Sequence, residues 1–230
     1  KAIEEFHKSK DWQLDKEQVT ALHHICFGND LVLINGSAGS GKTVSLEVAS
    51  KVWQKEGYNV IGAAISGAAS SNLQEGTNQH ISSQTIALLL IEIENGQKTL
   101  SNNDVLVVDE SGMIDSRTMH KLITLTEQAG TKLILVGDIK QLSAISAGSP
   151  HRIFLSKIGA AQVVGHRRQN EDWAKQASSD IRDGNLIKAL SEYHQRGFLS
   201  FSNDRNEAIS QTVNGYIQDA KNSLTDTIML

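Results

Sequence analysis

The stretch Leu31-Val32-Leu33-Ile34-Asn35-Gly36-Ser37-Ala38-Gly39-Ser40-Gly41-Lys42-Thr43 decides the fold. An apolar run reads as a buried strand, and the following G-x-x-x-x-G-K-[ST] pattern as a phosphate loop opening a helix. Gly36, Ser37, Ala38, Gly39, Ser40 and Gly41 let the backbone wrap a phosphate, with backbone amides and the helix N-terminus supplying positive potential. Lys42 is placed to reach the β and γ phosphates and Thr43 to reach Mg²⁺, so the implied ligands are ATP and Mg²⁺. The helix Lys42–Glu56 stops at Gly57. Asn35-Gly36-Ser37 also fits the glycosylation triplet, but it overlaps this loop.

Downstream, Val105-Leu106-Val107-Val108-Asp109-Glu110 is an apolar strand ending in two acids. Asp109 at the strand end suits Mg²⁺, and Glu110 suits a base for the attacking water. The strands Asn59–Ile65 and Lys132–Gly137 complete a set whose near-continuous apolar runs fit a parallel sheet buried on both faces. Helices are expected over Asp15–Phe27, Gln79–Glu94 and Asp115–Ala129, so the fold class is α/β, a parallel sheet flanked by helices. Gln169–Asp183 and Asn185–Arg196 read as two further helices. Phe198–Ser202 reads as a short strand, and Asp204 with Glu207 as the capping box of a last helix. The β-prone Thr227–Leu230 reads as the first strand of a missing second domain. The expected division is a P-loop domain over 1–150 and a helical extension over 151–230.

Two further groups carry two readings each. Gln141, in Gly137-Asp138-Ile139-Lys140-Gln141-Leu142, suits a γ-phosphate sensor, or the segment is a simple Gly-Asp turn. Arg168, in Gly165-His166-Arg167-Arg168-Gln169, suits a clamp on transition-state charge, or a solvated basic turn. Gln18 fits a capping box with Asp15. His23, His24 and Cys26 are set aside as a metal site, because adjacent histidines point apart on a helix.

Composition narrows the partners. The 230 residues carry 22 basic and 26 acidic side chains, a net charge of −4, which excludes coating nucleic acid by bulk charge and calls for a local groove. The single Cys26 rules out an internal disulfide framework and fits a reducing, cytoplasmic setting. No apolar run is long enough for a membrane span.

Together these motifs, in this order, resemble superfamily-one, RecD-like helicases, and more closely the helicase region of TraA/MobA-type conjugative relaxases. Gly62–Ala69, Asp109–Met113, Gly137–Gly148, Arg168–Trp173 and Gly184–Tyr193 carry the likeness, which runs from about Trp12 to Leu230. The resemblance implies a RecA-like motor domain, with Gln18 reading adenine, Gln141 sensing the γ-phosphate and Arg168 as an arginine finger. It also implies single-stranded DNA contacts at Ser66, Gly67, Ala68 and Thr85. Partners would be the remaining domains of a larger relaxase-helicase in the conjugation machinery. Two positions depart from the pattern: Ser111 stands where alanine is usual, and Gln84 where arginine is usual. The later helicase motifs and the nicking domain lie outside this sequence, so weak ATP binding, slow turnover and no nicking are expected of the piece. The alternative is a nucleotide- or DNA-binding module that does not hydrolyse.

Overall fold

Each long apolar run becomes a strand in the computed structural model, which describes residues 3–4, 13–37, 39–139, 148–163 and 171–222, apart from the side chains at 219 and 222. The order is α1 (Lys16–Phe27), β1 (Leu31–Gly36), α2 (Lys42–Lys55), β2 (Asn59–Ala64), α3 (Gly67–Gly76), β3 (Ser82–Thr85) and α4 (Ile86–Glu94). Then come β4 (Asp104–Asp109), a short 3₁₀ turn (Ser111–Met113), α5 (Ser116–Ala129), β5 (Lys132–Gly137), α6 (Pro150–Ile158) and β6 (Ala161–Val163). Three helices follow: α7 (Asp172–Arg182), α8 (Leu186–Gln195) and α9 (Arg205–Asn222).

The strands form one sheet in the order β3-β2-β4-β5-β1-β6, and every pairing is parallel. Alternate residues of the strands enter two separate cores. Val32, Ile34, Val105, Val107, Ile134 and Val136 join Leu22, Ile25, Leu46 and Trp53 on the α1–α2 face. Leu33, Leu106, Val108, Leu133 and Leu135 join Leu89, Met119 and Leu122 on the α4–α5 face. A sheet covered on both faces needs apolar residues at every position, which is why these runs do not alternate.

Several expectations change. The helix expected over Gln79–Glu94 is a strand followed by a shorter helix: Ser82–Thr85 pairs with Ile61–Ala64, and the Thr85 side chain then caps α4 through the Leu88 amide. Phe198–Ser202 forms no strand. Its first amide donates to the Tyr193 carbonyl, and Phe198 stacks on Trp173. Asp204 does accept the Glu207 amide at 2.9 Å, but the Glu207 carboxylate returns to the Asn203 amide rather than to Asp204. Thr227–Leu230 lies outside the described residues.

The chain divides into two units, Lys1–Arg168 and Gln169–Leu230. The first takes in α6 and β6, because β6 pairs with β1 through Ile34–Gly36 opposite Ala161–Val163. In the second unit α7 and α8 pack together around Trp173, which meets Tyr193 edge-on and carries the Arg196 guanidinium 4.6 Å above its ring. No helix among the described residues is long and apolar enough to cross a membrane.

Candidate active site

Parallel strands bring all their carboxyl ends to one edge, the place where open α/β sheets hold ligands. That edge here collects the loop Gly36–Gly41 after β1, Ser66 after β2, Thr85 at the end of β3, Asp109 and Glu110 at the end of β4, and Asp138 after β5.

The loop after β1 turns on two left-handed glycines, Gly39 at φ 74° and Gly41 at φ 90°. Gly41 caps α2 and contributes no side-chain hydrogen bond of its own. The Lys42 Nζ donates to the carbonyls of Gly36 at 2.6 Å and Ser37 at 2.9 Å. The Ser40 hydroxyl is buried with no hydrogen-bond partner among the described residues, a polar atom suited to a phosphate oxygen. Glycine is required at 36 because a Cβ there would strike the Val163 carbonyl of β6. The end of α3 closes on Thr43, since a Cβ on Gly76 would lie 2.7 Å from the Thr43 methyl. Ala38 lies outside the described residues.

Gln18 is fully buried behind this loop. It completes the expected capping box with Asp15, and its Nε2 donates to the Gly41 carbonyl at 3.2 Å.

The acids respond to burial and to one another. Asp109 is held above its usual range chiefly by burial, opposed by the Glu110 amide donating to it at 2.9 Å and by the Lys42 charge. Glu110 is raised by burial first and then by Asp109, with Lys42 opposing and Asp138 adding. Lys42 therefore stands within electrostatic reach of both acids, and the site holds more negative than positive charge. A divalent cation would offset this excess negative charge. Among the described residues no group of three or more His, Cys, Asp or Glu side chains is placed to hold a metal ion.

Ser66, Gly67 and Ala68 are exposed at the start of α3. The Ser66 hydroxyl caps the Ala69 amide at 3.2 Å, and the Thr85 hydroxyl caps the Leu88 amide at 3.2 Å. Gln84, at the position where arginine was expected, donates to the Glu92 carboxylate at 2.7 Å. Gln141 and Arg168 lie outside the described residues.

Sequence reasoning missed three residues of this edge. Asn35 bridges β1 to Gln162 of β6 at 2.8 Å and accepts the Ile139 amide at 3.1 Å. Its signal was a lone polar residue ending an apolar run. Gly76 sits against Thr43, and His151 lies under the Glu110 turn through Ser111 at 2.8 Å; neither belongs to a motif.

A family model described as an AAA domain matches residues 13–204. The chain is 33% identical over 221 residues to a probable conjugal transfer protein TraA of Sinorhizobium fredii, covering 96% of this chain and 20% of the relative. It is 30% identical over 144 residues to the ATP-dependent RecD2 DNA helicase of Deinococcus radiodurans, covering 60% of this chain and 19% of that one. The chain thus spans about one fifth of the length of these relatives. The Pif1 helicase of Candida albicans shares the fold with a TM-score of 0.60 at 20% identity, over 90% of this chain and 55% of that one. These findings bear out the resemblance to TraA-type transfer proteins and RecD-type helicases, and the P-loop fold. By the extent of that match, the chain belongs to the AAA-domain family.

Proposed function

We propose that this chain is the ATP-binding part of a DNA helicase or translocase motor of conjugative transfer, working within a larger relaxase-helicase. The observation that carries the reading is the glycine loop with Lys42 Nζ turned onto its carbonyls, on the same carboxyl edge of the sheet as Asp109 and Glu110. Lys42 exchanges the Gly36 and Ser37 carbonyls for the β and γ phosphates. Thr43 and Asp109 hold Mg²⁺, which neutralises phosphate charge when bound. Glu110, whose pKa burial holds above the ordinary carboxylate range, takes the proton of the attacking water as its carboxylate. Gln18 reads the adenine, Gln141 senses the γ-phosphate and Arg168 stabilises the developing charge. Single-stranded DNA runs over Ser66, Gly67, Ala68 and Thr85, with the first three exposed at one helix start.

The test is steady-state ATP hydrolysis with and without single-stranded DNA, beside Lys42→Ala. The reading expects DNA-stimulated turnover below about 1 s⁻¹, under the ordinary enzyme range, abolished by Lys42→Ala. Nucleotide binding without any hydrolysis favours the non-hydrolysing module, and hydrolysis indifferent to Lys42 overturns the site.

A further inference from the structure

His151 is the second residue of α6 and is 1% exposed. Its Nδ1 lies 2.8 Å from the Ser111 hydroxyl, which in turn lies 2.8 Å from the Val136 carbonyl of β5. A hydroxyl has one proton, and the Val136 carbonyl can only accept it. The Nδ1 must then be the donor to Ser111, which leaves Nε2 unprotonated. That Nε2 is buried with no partner among the described residues. Burial holds the imidazole neutral, against the nearby Asp138 charge that favours the cation.

The packing at this point is tight. A Cβ on Gly137 would lie 3.1 Å from both the Ser111 hydroxyl and the Gly112 amide, and 3.2 Å from His151 Cε1. The end of β5, the Ser111–Met113 turn and the start of α6 thus meet with no spare volume. The residue before this turn is Glu110, at φ 52°, a left-handed conformation that a non-glycine residue keeps only when its surroundings enforce it. Ser, His and Asp together are the residue types of a nucleophilic triad, but Ser111 is fully buried and spends its proton on a carbonyl, so it is no nucleophile.

We propose that His151 is a positioning residue: through Ser111 it ties the turn carrying Glu110 to the end of β5, and so sets the hydrolytic rate without touching nucleotide. The inference rests on the ATPase reading above.

Asparagine and glutamine separate the roles of the two ring nitrogens. The Asn amide nitrogen stands near the Nδ1 position and keeps the donor to Ser111, whereas the Gln amide reaches the Nε2 position. His151→Leu, His151→Asn, His151→Gln and Ser111→Ala are compared by ATP turnover, nucleotide affinity and amide exchange over 109–113. His151→Leu should lower turnover about tenfold or more, with affinity within about twofold, because the lost interaction orients the base rather than binding substrate. Exchange over 109–113 should rise while that of α5 stays unchanged. His151→Asn should recover most of both readouts and His151→Gln should not. Ser111→Ala should match His151→Leu, and the double variant should lose no more than either single one. Equal recovery by Asn and Gln, or unchanged exchange and turnover in His151→Leu, overturns the proposal. Should the parent chain show no Lys42-dependent hydrolysis, the ATPase reading fails, and the exchange data still decide whether His151 positions the turn.

Discussion

The Glu110 backbone lies at φ 52°, ψ 33°, one of three non-glycine residues with positive φ among those described. The conformation costs on the order of 1–2 kcal/mol and sets Glu110 off from the strand that carries Asp109. Glu110→Gln keeps the shape and removes the base, so turnover should fall by about 10²–10⁴ while nucleotide affinity holds, as measured by hydrolysis and equilibrium binding side by side. His151 offers a second test, in stability against pH. Its pKa is lowered in the fold below the ordinary value of about 6.5, so the unfolded chain binds more protons there. Stability attributable to this group is present above pH 6.5 and is lost as pH falls. Denaturant unfolding should show that loss below pH 6.5 in the parent and a flatter profile in His151→Asn. Cys26 is pushed up to about 11, mainly by burial, so its thiol should alkylate far more slowly at pH 8 than a free cysteine does.

Among the elements, α3 joins two parts of the edge, with exposed Ser66 at its start and Gly76 against Thr43 at its end. Gly76→Val adds a branched side chain where even a Cβ meets the Thr43 methyl. It should weaken Mg²⁺-dependent nucleotide binding about tenfold, read by titrating nucleotide with and without Mg²⁺, while leaving the β2 pairing intact. The long strands were legible because two-sided burial writes Val32–Ile34, Val105–Val108 and Leu133–Val136 as unbroken apolar runs. β3 was not legible: Ser82–Thr85 is a polar edge strand, and its register comes from β2 rather than from its own pattern. The phosphate loop and the acid pair could be read because their chemistry fixes residue types at fixed spacing. The His151–Ser111 contact could not, since it joins residues 40 apart through a tertiary turn.

At the scale of the whole chain, stability is distributed unevenly. Among the described residues, the sheet unit holds every buried large hydrophobic, whereas the buried hydrophobics after 169 are only Ala177 and Ala189. Leu186, Ile187, Phe198 and Phe201 are exposed in that second unit. Amides of α7–α9 should therefore exchange with deuterium much sooner than those of β1, β4 and β5, because opening them exposes little apolar surface. Within the sheet unit a single truncation such as Leu106→Ala should cost about 2–5 kcal/mol, measured by denaturant unfolding.

The claim that organises these scales is that the carboxyl edge binds a Mg²⁺-nucleotide through the loop ending in Lys42. Calorimetric titration of the chain with Mg-ATP, beside Lys42→Ala of equal thermal stability, tests it most directly. The account predicts saturable one-site binding by the parent and affinity at least about tenfold weaker in Lys42→Ala, the loss of one charge-assisted contact to phosphate. Equal affinity in the two proteins, or no binding by the parent, would contradict it.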